Sequence, residues 1–292
     1  MRRLSLVALT WLALTIPADA STIVYSCEGR NICAVEPDGS KRRNLTSRLG
    51  GTYGSPQLSD DGRLMTFSHD SRLYTADARA RNRRILPPPD PYVAGTSLAD
   101  PILHHDGKTL LFRAVPMSGQ NARICRIRLS RGSEPRCGRG SGRAYVSWGP
   151  KGTILSTHWD ERKDICITSL DGKCTRELIR IDEEWTTFFQ EPATSPDGRF
   201  IAAATETFDD NRIKLFDART GRHIRDLTGR HGDLLPTWSP SGRHVAFTRG
   251  VRNTGSEPAV AICYVGIGGG KVRCPVPKVT DRQPLSAPSW GG

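Results

Sequence analysis

Apolar residues recur along this 292-residue chain in short alternating runs, and the runs come back about every 45 residues. A glycine aligns the copies: Gly62, Gly107, Gly152, Gly198 and Gly242 follow one another at intervals of 45, 45, 46 and 44. Three residues after it stand Met65, Leu110, Leu155, Ile201 and Val245, and five after it Phe67, Phe112, Thr157, Ala203 and Phe247. Apolar positions two apart share one face of a strand. Six residues before the glycine lie Pro56, Pro101, Val146, Pro192 and Pro236, each beginning a short run such as Pro236–Ser239. The pattern predicts a strand, a turn ending in glycine, and a second strand. A third run carries Leu73, Ile124, Ile165, Ile213 and Ile262, and is followed by turn residues and a basic segment that fits a fourth, outer strand. Four short antiparallel strands in each repeat of this length describe a propeller blade.

The chain ends set the blade count. Residues 22–46 hold a second strand (Ile23, Tyr25), a third (Ile32) and a fourth, but no first strand. Ala287-Pro288-Ser289-Trp290 matches Leu235-Pro236-Thr237-Trp238 and supplies it, so the closing blade is shared by the N-terminal strands and the C-terminal strand. Counting positions 56, 101, 146, 192, 236 and 288 predicts an all-β, six-bladed propeller formed as one domain over 21–292.

The turn phrases are SDDGR at Ser59–Arg63, HHDGK at His104–Lys108, GPKGT at Gly149–Thr153, SPDGR at Ser195–Arg199 and SPSGR at Ser239–Arg243. These resemble the P-x-W-S-P-D-G-[RK] phrase, called PD40 or WD40-like, of the TolB-like propellers. The likeness is specific at Pro192–Arg199 and Pro236–Arg243 and degenerate at Val146–Thr153 and at the C-terminus. It implies the same six-bladed fold, and a channel mouth of the sort that grips a partner protein in that family. No counterpart of the separate domain that precedes the propeller of TolB is expected here, so what TolB does through it is not implied by the resemblance.

Arg2 and Arg3, the apolar stretch that follows them, and Ala18-Asp19-Ala20 predict a cleaved secretion signal over 1–20, with Ser21 as the new N-terminus. The apolar core is short for a membrane span, no cysteine follows the cut, and no later segment is apolar enough to span a bilayer. The cysteines point to the same compartment. Cys33, Cys125, Cys166 and Cys263 each directly follow the aliphatic residue of a third strand. The repeat register predicts the bridges Cys125–Cys137, Cys166–Cys174 and Cys263–Cys274 between third and fourth strands, and Cys27–Cys33 between second and third. Such bridges belong to a periplasmic or secreted protein.

The net charge is +12, and removing two arginines and one aspartate with the leader leaves +11. Arg42, Arg43, Arg79, Arg81, Arg83, Arg84, Arg126, Arg128, Arg131, Arg136 and Arg139 all fall on the third strand, the fourth strand or the turn between them, which is the rim of the propeller. Cations on outer strands discourage edge pairing; the alternative reading is a surface for acidic glycan or phosphorylated glycolipid. With no nucleic-acid motif and few aromatics beside the arginines, nucleic acid is not an expected partner.

Candidate binding residues come from the loops that join one blade to the next and gather at one mouth of the channel. They are Tyr53, Asp100, Arg143, Tyr145, Trp185, Phe189, Glu191, His231, Asp233 and Arg282. Trp185, Phe188 and Phe189 could equally plug that end. No catalytic residue is predicted: a G-x-S-x-G elbow is missing. A prolyl oligopeptidase, which uses a similar propeller as a lid, would need a hydrolase domain for which there is no room. The pairs His69-Asp70, His105-Asp106, His158 with Asp160 and His231 with Asp233 lack a common blade position, so no metal and no cofactor is expected. Asp61, Asp106 and Asp197 read as turn acceptors before glycine. The expected activity is non-catalytic binding, as a monomer, of an envelope protein or of an acidic glycan or lipid. One rival is a metal-dependent lyase or hydrolase acting on acidic polysaccharide, which would require His231, Asp233, Glu191 and Asp100 to converge. The other is binding of polyanions by the rim.

Overall fold

The computed structural model describes residues 21–90, 95–118, 122–140, 144–158, 164–180, 188–206, 211–229, 231–251, 259–280 and 287–292, excluding the side chains of 144, 158, 188–190, 206 and 280. The chain opens with β1 (Thr22–Cys27), β2 (Asn31–Val35) and β3 (Arg43–Asn44). Blade one follows as β4 (Tyr53–Leu58), β5 (Leu64–His69), β6 (Arg72–Asp77) and β7 (Arg84–Ile85). Blade two is β8 (Ser97–Leu103), β9 (Thr109–Val115), β10 (Arg123–Arg128) and β11 (Arg136–Cys137). Blade three is β12 (Ala144–Trp148), β13 (Ile154–His158), β14 (Ile165–Thr168) and β15 (Cys174–Ile179), with a short 3-10 turn at Pro150–Gly152. Blade four is β16 (Phe188–Thr194), β17 (Phe200–Glu206), β18 (Arg212–Asp217) and β19 (His223–Asp226). Blade five is β20 (Asp233–Trp238), β21 (His244–Val251), β22 (Ala259–Gly266) and β23 (Arg273–Thr280). The last strand, β24 (Ser289–Gly291), pairs antiparallel with β1, so that the order β24-β1-β2-β3 completes blade six.

Six four-stranded antiparallel sheets therefore form a ring. The first strands of successive blades touch one another, β12 to β16, β16 to β20, β20 to β24, β24 to β4 and β4 to β8, which places them around the channel. The core lies between blades. Met65, Leu110, Leu155, Ile201 and Val245 are fully buried, as are Ile32, Leu73, Ile124, Ile165 and Ile213 on the third strands. The carbonyls of Ile32, Leu73, Ile124 and Ile213 each accept an amide from the fourth-strand segment of their blade, at 2.8–3.0 Å.

All five repeat glycines adopt left-handed backbone, with φ from +64° to +73°, which explains why glycine holds that turn position. The aspartate before it behaves as the pattern predicts. Asp61 Oδ1 accepts the Ser59 hydroxyl at 2.6 Å and the Arg63 amide at 3.1 Å, and Asp197 Oδ1 does the same with Ser195 and Arg199 at 2.6 and 3.0 Å. Asp106 accepts the Lys108 amide at 2.7 Å. The hydrogen bond from Ser59, followed by that from the Arg63 amide, holds the Asp61 carboxyl below its ordinary range.

Blades are tied to their neighbours by the tryptophans of the first strands. Trp148 Nε1 donates to the Ile102 carbonyl at 2.9 Å and Trp238 Nε1 to the Ala193 carbonyl at 2.8 Å. At the seam, Trp290 Nε1 donates to Ser21 Oγ, the Leu58 amide donates to Ser289 Oγ at 2.8 Å, and the Gly292 amide donates to the Asp60 carbonyl at 2.9 Å. All four disulfides expected from the register are formed: Cys27–Cys33, Cys125–Cys137, Cys166–Cys174 and Cys263–Cys274.

Candidate functional site: the channel and its mouth

The prolines of the first strands shape the channel wall. A proline has no amide to give to the ladder and is tolerated in a sheet at a bulge. The register breaks at each of four of them: between Gly54 and Gln57, Ala99 and Ile102, Gln190 and Ala193, and Leu234 and Thr237. The residue before each proline has positive φ: Ser55 at 47°, Asp100 at 51°, Glu191 at 40° and Leu235 at 57°. Blade three has Val146 at this position, and there β12 pairs with β13 without interruption from Ala144 to Trp148. Such conformations cost about 1–3 kcal/mol each for residues other than glycine.

Two of these blades set a carboxylate against an arginine of the adjacent second strand. Arg113 Nε donates to Asp100 Oδ2 at 2.7 Å. Arg249 grips Asp233 with two bonds, Nε to Oδ1 at 2.7 Å and Nη2 to Oδ2 at 2.8 Å. Asp233 is wholly buried, and this two-pronged pair satisfies both of its carboxyl oxygens. Glu191 has no such arginine. It is partly accessible along the channel yet surrounded by protein, and burial, then the nearby charge of Asp100, pushes its carboxyl up to about 8 despite the opposing pull of Arg113. Glu191 of blade four and Asp100 of blade two thus feel each other across the ring.

The end of the channel opposite the mouth is crossed by His105. Its Nδ1 lies 3.0 Å from Asp60 Oδ2 in the turn of blade one, and its Nε2 lies 3.0 Å from the Thr194 carbonyl at the end of β16 in blade four. Burial lowers the basicity of this imidazole, but the hydrogen bond and charge of Asp60 outweigh it and the net shift is upward. The link joins three blades. The adjacent Asp106 pairs instead with His104, at 3.1 Å.

The remaining candidates divide. Tyr53 is buried, stacked on His69 with ring centroids 4.1 Å apart, and its hydroxyl donates to the Leu49 carbonyl at 3.1 Å. It packs between blades six and one, beside Val24 and Ile32 as well as Phe67. Tyr145 is half-buried on β12. His231 is exposed at the approach to β20 whereas Asp233 faces Arg249, so those two side chains do not act together. Arg143, Trp185, Arg282 and Asp160 lie outside the described residues, as do the side chains of His158, Phe188 and Phe189. Among the described residues no three His, Cys, Asp or Glu side chains are grouped to hold a metal ion. Residues that the pattern did not single out are Arg113, Arg249, and His105 with Asp60. The last pair was open to detection, because His105 and Asp60 occupy the same position of the repeat in adjacent blades.

No protein-family model and no curated protein matches the sequence. Solved structures do match. TolB from Acinetobacter baumannii superposes with a TM-score of 0.67 at 20% identity, covering 93% of this chain and 66% of its own. The chain has the fold of a TolB-like six-bladed propeller. It spans about two thirds of that TolB chain. A chain of a nidogen–laminin complex (TM-score 0.67, 12% identity, 93% of this chain and 98% of that one) and an oligogalacturonate lyase in complex with manganese (0.56, 16%, 83% and 69%) share the architecture. At these identities the likeness is one of fold, and the same fold carries binding and catalysis elsewhere. Four disulfides on a TolB-like propeller are the mark of an extracytoplasmic protein. No described helix is long and apolar enough to cross a membrane.

Proposed function

We propose that this TolB-like propeller is an exported, non-catalytic binding module of the bacterial envelope, periplasmic or secreted, that works as a monomer and grips a segment of a partner protein at the mouth of its channel. The observation that carries the reading is Glu191. It is a desolvated carboxyl with no hydrogen-bond donor among the described residues, set on a strained strand just inside the mouth. A donor brought by an entering segment gains most at such a group, because its cost of burial is already met by the fold. The mouth loops add Trp185, Phe189, Tyr145, Arg143, His231 and Arg282, aromatic and cationic types that dominate binding energy at interfaces. Residues 1–20 are the export signal in this reading, and Ser21 begins the mature chain.

The lyase reading has less support. The carboxylates it would draw on, Asp100 and Asp233, are bound to Arg113 and Arg249. Capture of a partner from envelope extract tests the proposal. The variant Trp185→Ala with Phe189→Ala is expected to lose at least about tenfold in affinity, as truncating aromatic anchors does; capture at parental strength contradicts it.

A further inference from the structure

The outer hairpin of blade two holds a second feature, remote from the mouth. In β10 the residues alternate: Cys125 and Ile127 are buried, while Arg126 and Arg128 are exposed. β11 adds Arg136, which stands directly opposite Arg126 in the antiparallel register. Like charges facing each other across a strand pair are destabilising. Here they are fixed in place by the Cys125–Cys137 bridge one position away. None of these three guanidinium groups has an ion pair or side-chain hydrogen bond among the described residues. Discouraging edge pairing requires cations on the rim, but it does not require two of them face to face and riveted by a disulfide.

The three arginines line a cavity of about 580 Å³ whose other walls include His104, Trp148 and Gly152. Trp148 meets His104 edge-on, with centroids 4.8 Å apart. His104 Nδ1 lies 3.1 Å from both the amide and the carboxylate of Asp106, and its Nε2 is on the side of Gly152. Two acids share the space. Asp106 is occupied with the turn amides of Lys108 and Thr109, and Glu134 is exposed on the connecting loop.

We infer that this cleft between blades two and three is a binding site for a phosphate ester carried on a sugar-sized body. Three forked guanidinium groups suit an anion with three oxygens better than a carboxylate with two. The volume suits a monosaccharide-sized ligand, and Trp148 offers it an aromatic edge. The phosphate could be free or belong to a lipid headgroup. In either case the ligand relieves the repulsion between Arg126 and Arg136.

Titration calorimetry of the full protein with glucose 6-phosphate, and flotation with phosphatidylcholine vesicles containing phosphatidic acid, test this. Arg126→Gln and Arg128→Gln are each expected to lower affinity about tenfold. Arg79→Gln with Arg81→Gln, on the rim of blade one, should leave it unchanged. Because Arg126→Gln removes an opposed charge, its melting temperature should equal or exceed that of the parent, so lost binding would not be lost folding. Binding to the sugar phosphate assigns a free ligand, and binding to the vesicles alone assigns a headgroup. Three results overturn the inference: no binding to either probe, equal loss in the blade-one control, or binding of oligogalacturonate as tight as that of glucose 6-phosphate. Trp185→Ala should retain phosphate binding, so failure of the mouth reading would leave this one standing, and the reverse.

Discussion

Glu191 combines three costs at one position: a left-handed backbone, a following proline that restricts it further, and a desolvated carboxyl that Arg113 attracts but does not bond. Its pKa rises from the ordinary 4.5 to about 8 in the folded protein. Between those values the folded state holds a proton that the unfolded chain has released, so stability falls as pH rises from 4.5 to about 8 and is level above that. Glu191→Gln imitates the neutral form. Its unfolding free energy should lose this part of the pH slope and exceed the parent's above pH 8, as chemical denaturation across the range would show; parallel curves would contradict the assignment. Asp61, Asp106 and Asp197 were legible in sequence because turn chemistry is local. Tyr53 was not, since the bulge at Ser55-Pro56 inserts a residue and shifts everything before the proline to the other face. The proline was the available signal: bulges occur at Pro56, Pro101, Pro192 and Pro236, and are missing at Val146.

Each blade is a sheet too small to stand alone, with a fourth strand that is often only two residues long, as in β3, β7 and β11. Such strands contribute few ladder bonds and are the first to fray. Two devices hold them. Thr46 and Thr228, each following a leucine at the end of the fourth strand, accept the third-strand amides of Ile32 and Ile213 at 2.9 and 3.0 Å. In blades two, three and five a disulfide does the same work. Replacing Cys125 and Cys137 by serine should lower unfolding free energy by about 3 kcal/mol on the chain-entropy model for a loop of this size. It should also release β11, seen as rapid amide exchange confined to the outer edge of blade two; unaltered stability and exchange would show that the bridge pins nothing. The pairing itself was readable, because a fixed register puts each second cysteine across one turn from the first. The facing of Arg126 on Arg136 follows from that register, though the cavity beside them depends on the neighbouring blade and is invisible in any one repeat.

Across the whole molecule, closure makes the ring a scaffold. β24 supplies the first strand of blade six, and its end lies so close to the turn of blade one that a side chain at Gly62 would meet Gly292 at 2.9 Å. His105 ties blades one, two and four at the end opposite the mouth. With the ring closed on itself and cross-linked at one end, variation is left to the mouth loops and the rim, for which separate partners are proposed. Capture of an envelope protein by four forms of the chain tests that division most directly: the parent, Trp185→Ala with Phe189→Ala, Glu191→Gln, and Arg126→Gln with Arg128→Gln. The aromatic mouth variant should bind the partner at least about tenfold more weakly, Glu191→Gln should weaken capture, and the blade-two arginine variant should keep it. Retention by both mouth variants together with loss in the arginine variant would place the partner on the rim of blade two instead of at the mouth.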